Sequence, residues 1–155
     1  MLPVSVNKLA VAILITFTAS VWQPGGGAFK CFMDYRAITD TSSLQYQLQA
    51  EAWTDENGLR RIDECYCIAL GSAYGSHIGD KYLIRLSTGT EFMAILSDQK
   101  ADADTIDGHT RDRNGAVVEF IVDIGRLPAD VKRMGDISYV PGFTGTIEKI
   151  WRLKL

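Results

Sequence analysis

The chain has 155 residues, 46% hydrophobic and 23% charged, with a formal net charge of -3. These values are typical of one globular domain with a core of ordinary size. They argue against binding to DNA or RNA, because no run of Lys and Arg supplies the positive surface that a phosphate backbone requires.

The amino-terminal segment differs in composition from the rest of the chain. Lys8 precedes an apolar stretch at 9–21, and Pro24 and Gly-Gly-Ala at 26–28 follow it. A membrane-spanning helix needs about 20 apolar residues, whereas a signal-peptide core needs about 7 to 15. We therefore predict that residues 1–28 are a signal peptide or membrane anchor and that the protein is secreted or associated with the cell envelope. A buried apolar helix is the alternative.

The three cysteines, Cys31, Cys65 and Cys67, are an odd number, so at least one thiol has no intrachain partner. Cys65 and Cys67 lie on the same face of any strand, which is poor geometry for a bond between them. Cys31 with either of them is the alternative in an oxidising compartment. No ligand pair has the spacing of a zinc site. We expect free, partly buried thiols and neither a metal nor another cofactor.

Residues 29–63 give mixed signals and are interpreted as an extension that packs on the main domain. TSSLQYQLQAEAW begins with a helix-capping pattern, but Leu44, Tyr46 and Leu48 also alternate as in a strand. We predict a short helix that runs into an extended segment. Asn57-Gly58 then predicts a hairpin turn.

Residues 64–155 have the pattern of a β domain. Glycine-, serine- and proline-containing turns separate five runs of branched and aromatic residues, namely CYCIAL, DKYLIRL, TEFMAILS, AVVEFIVD and GTIEKIWRL. LPADVKRMG predicts a helix that starts near its proline and ends at its glycine. The fold class is therefore mainly β. We predict a small six-stranded closed barrel with one or two short helices.

Three segments together resemble a known family. CIALGSAYGSHIGDKYLI, FMAILSD and NGAVVEFIV are similar, in order and spacing, to the 3D domain, which is named for three aspartates. That domain occurs in Gram-positive cell-wall proteins and in membrane-bound lytic transglycosylase A. The similarity covers roughly residues 67–121 and extends to uncharacterised exported proteins of clostridia and phages. It implies a double-psi β-barrel of the rare-lipoprotein-A type.

The resemblance also implies a pair of site residues. Asp98 falls on the acid of the family's A-x-D-T-G segment and Glu119 on the acid of its I-D-L-Y segment, whereas Gly71-Ser72 replaces the family's Asp-Pro. The implied role of Asp98 is that of an acid/base which protonates the glycosidic oxygen of peptidoglycan and later accepts a proton from the sugar. Glu119 is the second implied catalytic residue.

The residues themselves are compatible with this chemistry. Asp98 ends the apolar run FMAILS, and Glu119 lies between Val118 and Phe120. Apolar surroundings raise the pKa of a carboxyl group towards neutrality, and a neighbouring carboxylate raises it further. The alternatives are a turn aspartate that accepts backbone hydrogen bonds and a glutamate that faces solvent or pairs with a cation such as Lys100.

Three further residues are predicted to bind substrate. Tyr74 lies in a glycine-rich turn and is predicted to be exposed, where it would stack on a sugar ring. His77, close to the position of the missing acid, is predicted to line a groove, and Lys100 follows Asp98 closely. The nearby acidic loop, which contains Asp102, Asp104, Asp107 and Asp112, lacks the spacing of a calcium site and is interpreted as solvated.

These patterns together predict an exported monomer that acts on peptidoglycan or another cell-wall glycan. It would cleave the glycan as a lytic transglycosylase does, or hydrolyse it with two carboxylates. The membrane would be contacted only through the amino-terminal segment. A non-catalytic module that binds polysaccharide, or a structural module of a phage particle, is the alternative.

Overall fold

The computed structural model describes residues 20–25 and 29–154. The apolar stretch of the predicted leader and its Gly-Gly-Ala lie largely outside the described residues. Within the described ranges, no helix is long and apolar enough to cross a bilayer. The strands in these ranges are β1 (Ser20–Trp22), β2 (Phe29–Asp34), β3 (Trp53–Thr54), β4 (Arg60–Ile62), β5 (Cys65–Leu70), β6 (Lys81–Leu86), β7 (Glu91–Gln99), β8 (Thr105–Ile106), β9 (Arg111–Asp112), β10 (Ala116–Val122) and β11 (Ile147–Leu153).

Two α-helices lie in the same ranges, α1 (Leu44–Glu51) and α2 (Ala129–Met134). The side chain of Ser43 accepts a hydrogen bond from the backbone N–H of Tyr46, which caps α1. α1 then runs into β3, as the mixed pattern predicts, and β3 and β4 form the expected hairpin. α2 ends at Gly135, whose φ of 65° is left-handed.

Nine of these strands form one mixed sheet with the order β1-β11-β6-β7-β5-β10-β2, and β3 and β4 attach beside β5. The pairs β5–β7 and β2–β10 are parallel. β8 and β9 form a separate hairpin. The prediction of a mainly β fold with one or two short helices is confirmed.

The predicted closure into a six-stranded barrel is corrected by these pairings. No hydrogen-bonded pairing among the described residues joins β1 to β2, so the sheet path is open. The prediction took its strands from residues 64–155 alone. The preceding part of the chain adds β1 and β2 at the two ends of the path and a hairpin beside β5, so the sheet is larger than the sequence pattern indicates.

Apolar side chains cover both faces of the sheet. One face carries the main core, where the rings of Tyr66, Phe92, Phe120 and Phe143 pack with centroids 5.1–6.1 Å apart. The second face is smaller and contains buried residues of β5, β7 and β10, namely Cys65, Cys67, Ala69, Ile95 and Ile121. Asp98 and Glu119 lie on this second face.

The three thiols are free and buried, which confirms that part of the sequence interpretation. Burial raises the pKa of Cys67 to about 11, and the nearby side chains of Gln49 in α1 and Ser97 in β7 oppose this shift. Because Gln49 is itself buried, α1 covers part of the second face.

The last residues of the predicted leader contact the domain. β1 pairs with β11, and the ring of Trp22 packs edge-to-face on Tyr74 with centroids 5.3 Å apart. The guanidinium of Arg111 donates to the carbonyl of Pro24 at 2.6 Å. Residues 20–25 are therefore part of the folded structure.

Candidate functional site

A β-bulge determines where the side chain of Asp98 points. In the parallel pair β5–β7, Leu96 is opposite Ile68, but the next pair is Ala69 with Asp98. Ser97 is the extra residue, and it reverses the alternation of the strand. Without it, Asp98 would follow Leu96 onto the main core face. With it, Asp98 shares the second face with Ala69.

A single row of four residues crosses the second face. Ala69 in β5 pairs with Asp98 in β7 on one side and with Glu119 in β10 on the other. Glu119 pairs in turn with Cys31 in β2. Residues that are directly opposite on paired strands share a face, and adjacent strands are about 4.8 Å apart. Asp98 and Glu119 are thus two strands, or roughly 10 Å, apart at their Cα atoms, with only the methyl group of Ala69 between them.

Both carboxyl groups of the row lie in low-dielectric surroundings. Burial raises the pKa of Asp98, and a hydrogen bond from the backbone N–H of Gln99 at 2.9 Å opposes this effect. Burial also raises the pKa of Glu119. The positive charge of Lys100 lowers it, and the charges of Asp112 and Asp98 raise it further. The two predicted catalytic acids are therefore coupled through space.

Cys31 contacts Glu119 directly. Its thiol donates to Glu119 Oε2 at 3.3 Å and lies 3.9 Å from Asp112 Oδ2. Burial and the charge of Glu119 raise the pKa of this thiol far above its ordinary value, and the charge of Lys100 opposes the shift. Cys31 is consequently protonated at neutral pH and is not a nucleophile in this state.

A cavity of about 530 Å³ opens beside the row. Its wall includes Glu119, Ala101 and a set of polar residues from β7, β9 and the loops that follow these strands, namely Gln99, Lys100, Asp104, Asp112, Arg113 and Asn114. The ammonium of Lys100 donates to Asp112 Oδ2 at 2.7 Å, and its side chain is only 4% exposed. Lys100, which was predicted to bind substrate, therefore lines the cavity, and its charge is paired with that of Asp112.

The other two predicted substrate-binding residues lie elsewhere. Tyr74 is 1% exposed, and its hydroxyl donates to the carbonyl of Thr110, so the prediction of an exposed sugar-stacking ring is wrong. The glycine-rich turn is covered by the loop that contains Thr110, which the sequence pattern does not reveal. His77 is exposed and pairs with Asp80 at 3.2 Å. It does not line the cavity beside the row.

At position 71, where the family that the sequence resembles has an acid, backbone atoms of the acidic loop leave no space for a side chain. A Cβ atom on Gly71 would lie 2.0 Å from the carbonyl oxygen of His109. The Oγ of Ser72 donates to Asp102 at 2.6 Å, which holds the acidic loop against this turn. Asp102, Asp104 and Asp107 are exposed, which agrees with the interpretation of a solvated loop. The backbone of the loop nevertheless packs over Gly71, and Asp112 lines the cavity. No side chain larger than hydrogen fits at position 71 without movement of the loop.

Cys31 and Asp112 are the site residues that the sequence did not indicate. The parallel pairing of β2 with β10 places Cys31 beside Glu119, and the β8–β9 hairpin carries Asp112. Neither pairing leaves a signal in residue spacing.

No family model matches the chain, and neither a curated protein nor a solved structure matches it significantly.

Proposed function

We propose that this protein is an exported, cell-wall-associated enzyme that cleaves the glycan strand of peptidoglycan, with Asp98 as the acid/base. The observation that carries the proposal is the register of Asp98 and Glu119 on either side of Ala69. This arrangement sets two partly buried carboxyl groups on one face of the sheet. The resemblance of the segments within residues 67–121 to the 3D domain supports the same function.

The surroundings of the row suit proton transfer. Burial of Asp98 favours its neutral form, which is the form that donates a proton to a glycosidic oxygen. After the bond breaks, the resulting carboxylate of Asp98 is positioned to accept a proton from the sugar's own hydroxyl, in the transglycosylase reaction, or from water, in hydrolysis.

The separation of the two carboxylates bears on the choice between these outcomes. Inverting glycosidases hold their carboxyl groups about 6.5–9.5 Å apart, which leaves space for a water molecule, whereas retaining enzymes hold them about 5–5.5 Å apart. Asp98 and Glu119 are two strands apart, and this spacing is closer to that of the inverting enzymes. Hydrolysis through a water molecule is therefore the alternative to direct attack by the sugar.

A second function is favoured by a specific observation. The backbone of His109 leaves no room for an acid at Gly71, and Asp98 accepts a hydrogen bond from Gln99 as a turn aspartate does. A module that binds cell-wall polysaccharide without cleaving it would show the same features. A structural role in a phage particle would also be compatible with them.

The experiment uses the full-length chain with purified peptidoglycan sacculi. Wild type, Asp98→Asn and Asp130→Asn are compared, and soluble products are identified by mass spectrometry. Asp130 is a matched control because it lies on α2 in an exposed ion pair with Arg133, which contributes little to stability. Anhydro-muropeptides from wild type and Asp130→Asn, but not from Asp98→Asn, would support transglycosylation. Reducing ends with the same dependence would indicate hydrolysis.

The same experiment separates enzyme from binding module. If no variant releases fragments and all three pellet with the sacculi, the protein is a binding module and Asp98 is a turn residue. If Asp98→Asn releases fragments at the wild-type rate, Asp98 is not the acid/base. If none pellets or cleaves, the cell wall is not the target.

A further inference from the structure

Three potential metal ligands converge at one end of the row. One ligand atom from each of Cys31, Asp112 and Glu119 lies within 4.8 Å of the others. They come from β2, β9 and β10, so the tertiary fold alone brings them together. The thiol is buried, and the two carboxylates face the cavity of about 530 Å³ from which an ion could enter.

The distances match those of a small tetrahedral site. Zinc lies about 2.3 Å from thiolate sulfur and about 2.0–2.2 Å from carboxylate oxygen, so the two ligand atoms are about 3.5 Å apart. The Sγ atom of Cys31 is 3.3 Å from Glu119 Oε2 and 3.9 Å from Asp112 Oδ2. Movements of a few tenths of an ångström would bring the Cys31 sulfur to this separation from each of the two carboxylate oxygens.

We propose that Cys31, Asp112 and Glu119 bind a divalent cation of the zinc type and that the fourth coordination position faces the cavity. Sulfur is a poor ligand for Mg²⁺ and Ca²⁺, which prefer six or more oxygen atoms. One thiolate and two carboxylates suit a borderline metal with low coordination number. The site shares Glu119 with the proposed catalytic row, so a bound cation would leave Asp98 as the free carboxylate of that row.

The charges of the cluster balance when the cation is bound. One thiolate and two carboxylates carry three negative charges, and Lys100 with a divalent cation carries three positive charges. Binding breaks the S–H bond of Cys31, forms a metal–sulfur bond and releases the proton to solvent. Without the metal, the proton stays on the sulfur of Cys31, and the thiol donates a hydrogen bond to Glu119.

One polar atom of a residue that lines the cavity, Gln99 Oε1, has no hydrogen-bond partner among the described residues. The Oε1 atom of Gln99 is buried and makes no hydrogen bond to the described residues, whereas its Nε2 atom donates to the carbonyl of Leu70 at 2.8 Å. Gln99 lines the cavity beside Glu119. A water molecule in the fourth coordination position has two hydrogens to donate, and Gln99 Oε1 offers an acceptor at this wall.

Lys100 competes with the metal for Asp112. Its ammonium lies 2.7 Å from Asp112 Oδ2 and also donates to the carbonyl of Ala116 at 3.3 Å. A cation bound beside it experiences repulsion, which is strong at such distances in a partly buried site. Replacement of Lys100 by the apolar Met removes this repulsion and frees Asp112 for the metal.

The test is a Co²⁺ titration of the full-length protein after treatment with a chelator. Thiolate bound to Co²⁺ gives a ligand-to-metal charge-transfer band in the near ultraviolet, and Zn²⁺ should abolish the band by displacement. Wild type, Cys31→Ser, Cys65→Ser and Lys100→Met are compared. Cys65 is the matched control because its exposure, 6%, is close to the 8% of Cys31. We expect the band in wild type and Cys65→Ser but not in Cys31→Ser.

Lys100→Met should bind Co²⁺ more tightly than wild type, by on the order of tenfold. Damage to the fold would weaken binding, so a gain in affinity cannot arise from misfolding even if Cys31→Ser is unstable. A band that persists in Cys31→Ser, a band lost in Cys65→Ser, or weaker binding by Lys100→Met would overturn the proposal. So would the absence of a band in wild type. The optical readout does not depend on whether the protein cleaves glycan.

Discussion

Asp98 and Glu119 are in register with the same residue, Ala69, on the strand between them. Their proximity depends on the extra residue Ser97, which turns Asp98 onto the face that carries Glu119. The nearby cavity and the thiol of Cys31 complete a polar region within an otherwise apolar face. Buried polar groups cost free energy unless they are paired, so such a region is a candidate for function.

The first prediction concerns the charge of Asp98. Because burial raises its pKa in the folded state, the neutral form is favoured, and this contribution to stability is lost as pH rises through the folded-state pKa. Asp98→Asn keeps an acceptor for the Gln99 N–H without the charge. We expect it to be more stable than wild type at neutral pH, with a difference that shrinks below about pH 4. Chemical denaturation at several pH values measures this.

Asp123 gives a control of opposite sign. A hydrogen bond from Arg36 lowers the pKa of Asp123, so its stabilising contribution is present at neutral pH and is lost as pH falls. Asp123→Asn should therefore be less stable than wild type at neutral pH. If Asp98→Asn and Asp123→Asn both destabilise the protein at neutral pH, Asp98 is not held in surroundings that favour its neutral form.

The strands of the second half of the chain could be predicted from the sequence, but their arrangement could not. CYCIAL coincides with β5, and AVVEFIVD coincides with β10 to within one residue, because branched residues between turns indicate strands directly. The place of β2 beside β10 is set by tertiary packing. For this reason Cys31, which is 88 positions from Glu119, gave no signal as a site residue.

The directions in which side chains near the site point also could not be predicted from the sequence alone. Simple alternation places Asp98 with Leu96, and only the bulge at Ser97 moves it to the other face. Phe92, Ala94 and Leu96 share one face of β7, as simple alternation requires, because no bulge interrupts that part of the strand. A single inserted residue is enough to reverse the assignment of everything that follows it.

A second prediction tests whether residues 20–25 belong to the domain. Trp22 is partly buried against Tyr74, whereas Val21 on the same short strand is 51% exposed. Trp22→Ala in the full-length chain should lower the free energy of unfolding by about 1–3 kcal/mol, less than for a fully buried aromatic residue. Val21→Ala should change it by less than about 0.5 kcal/mol. Equal small effects in urea denaturation would show that β1 does not stabilise the fold.

A third prediction concerns Lys30, which is fully buried in β2. Its ammonium donates to Ser138 Oγ at 2.8 Å and to the carbonyl of Gly145, and burial lowers its pKa to about 8. The folded state therefore loses stability as pH falls from about 10.5 to about 8, because the unfolded chain binds the proton more readily. Lys30→Met should therefore gain stability relative to wild type as pH falls through this interval, by on the order of 3 kcal/mol.

The difference between Lys30→Met and wild type should be constant below about pH 8, where the lysine is protonated in both states. Lys132→Met is the control, since Lys132 is exposed on α2. Its effect should stay within about 0.5 kcal/mol at every pH. A pH-independent difference for Lys30→Met would mean that Lys30 is protonated equally readily in the folded and unfolded states.

The fourth prediction concerns Gly71, at the position where the family that the sequence resembles has an acid. It tests whether the backbone of the acidic loop excludes a side chain there. In Gly71→Ala, the new methyl group would lie 2.0 Å from the carbonyl oxygen of His109, so the acidic loop must move. This movement breaks the backbone hydrogen bond from the Ala73 N–H to the carbonyl of His109. It also strains the hydrogen bond that the Tyr74 hydroxyl donates to the carbonyl of Thr110. We expect a loss of about 2–4 kcal/mol in the free energy of unfolding, as for overpacking of a rigid site.

Gly125→Ala is the matched substitution, because its new methyl group would meet only the Oδ1 atom of Asp123 at 3.5 Å, an ordinary contact. Its effect should be within about 0.5 kcal/mol. A Gly71→Ala variant as stable as Gly125→Ala would mean that the loop yields easily. Position 71 could then accommodate an acid, and the main structural objection to a catalytic site of the family type would be removed.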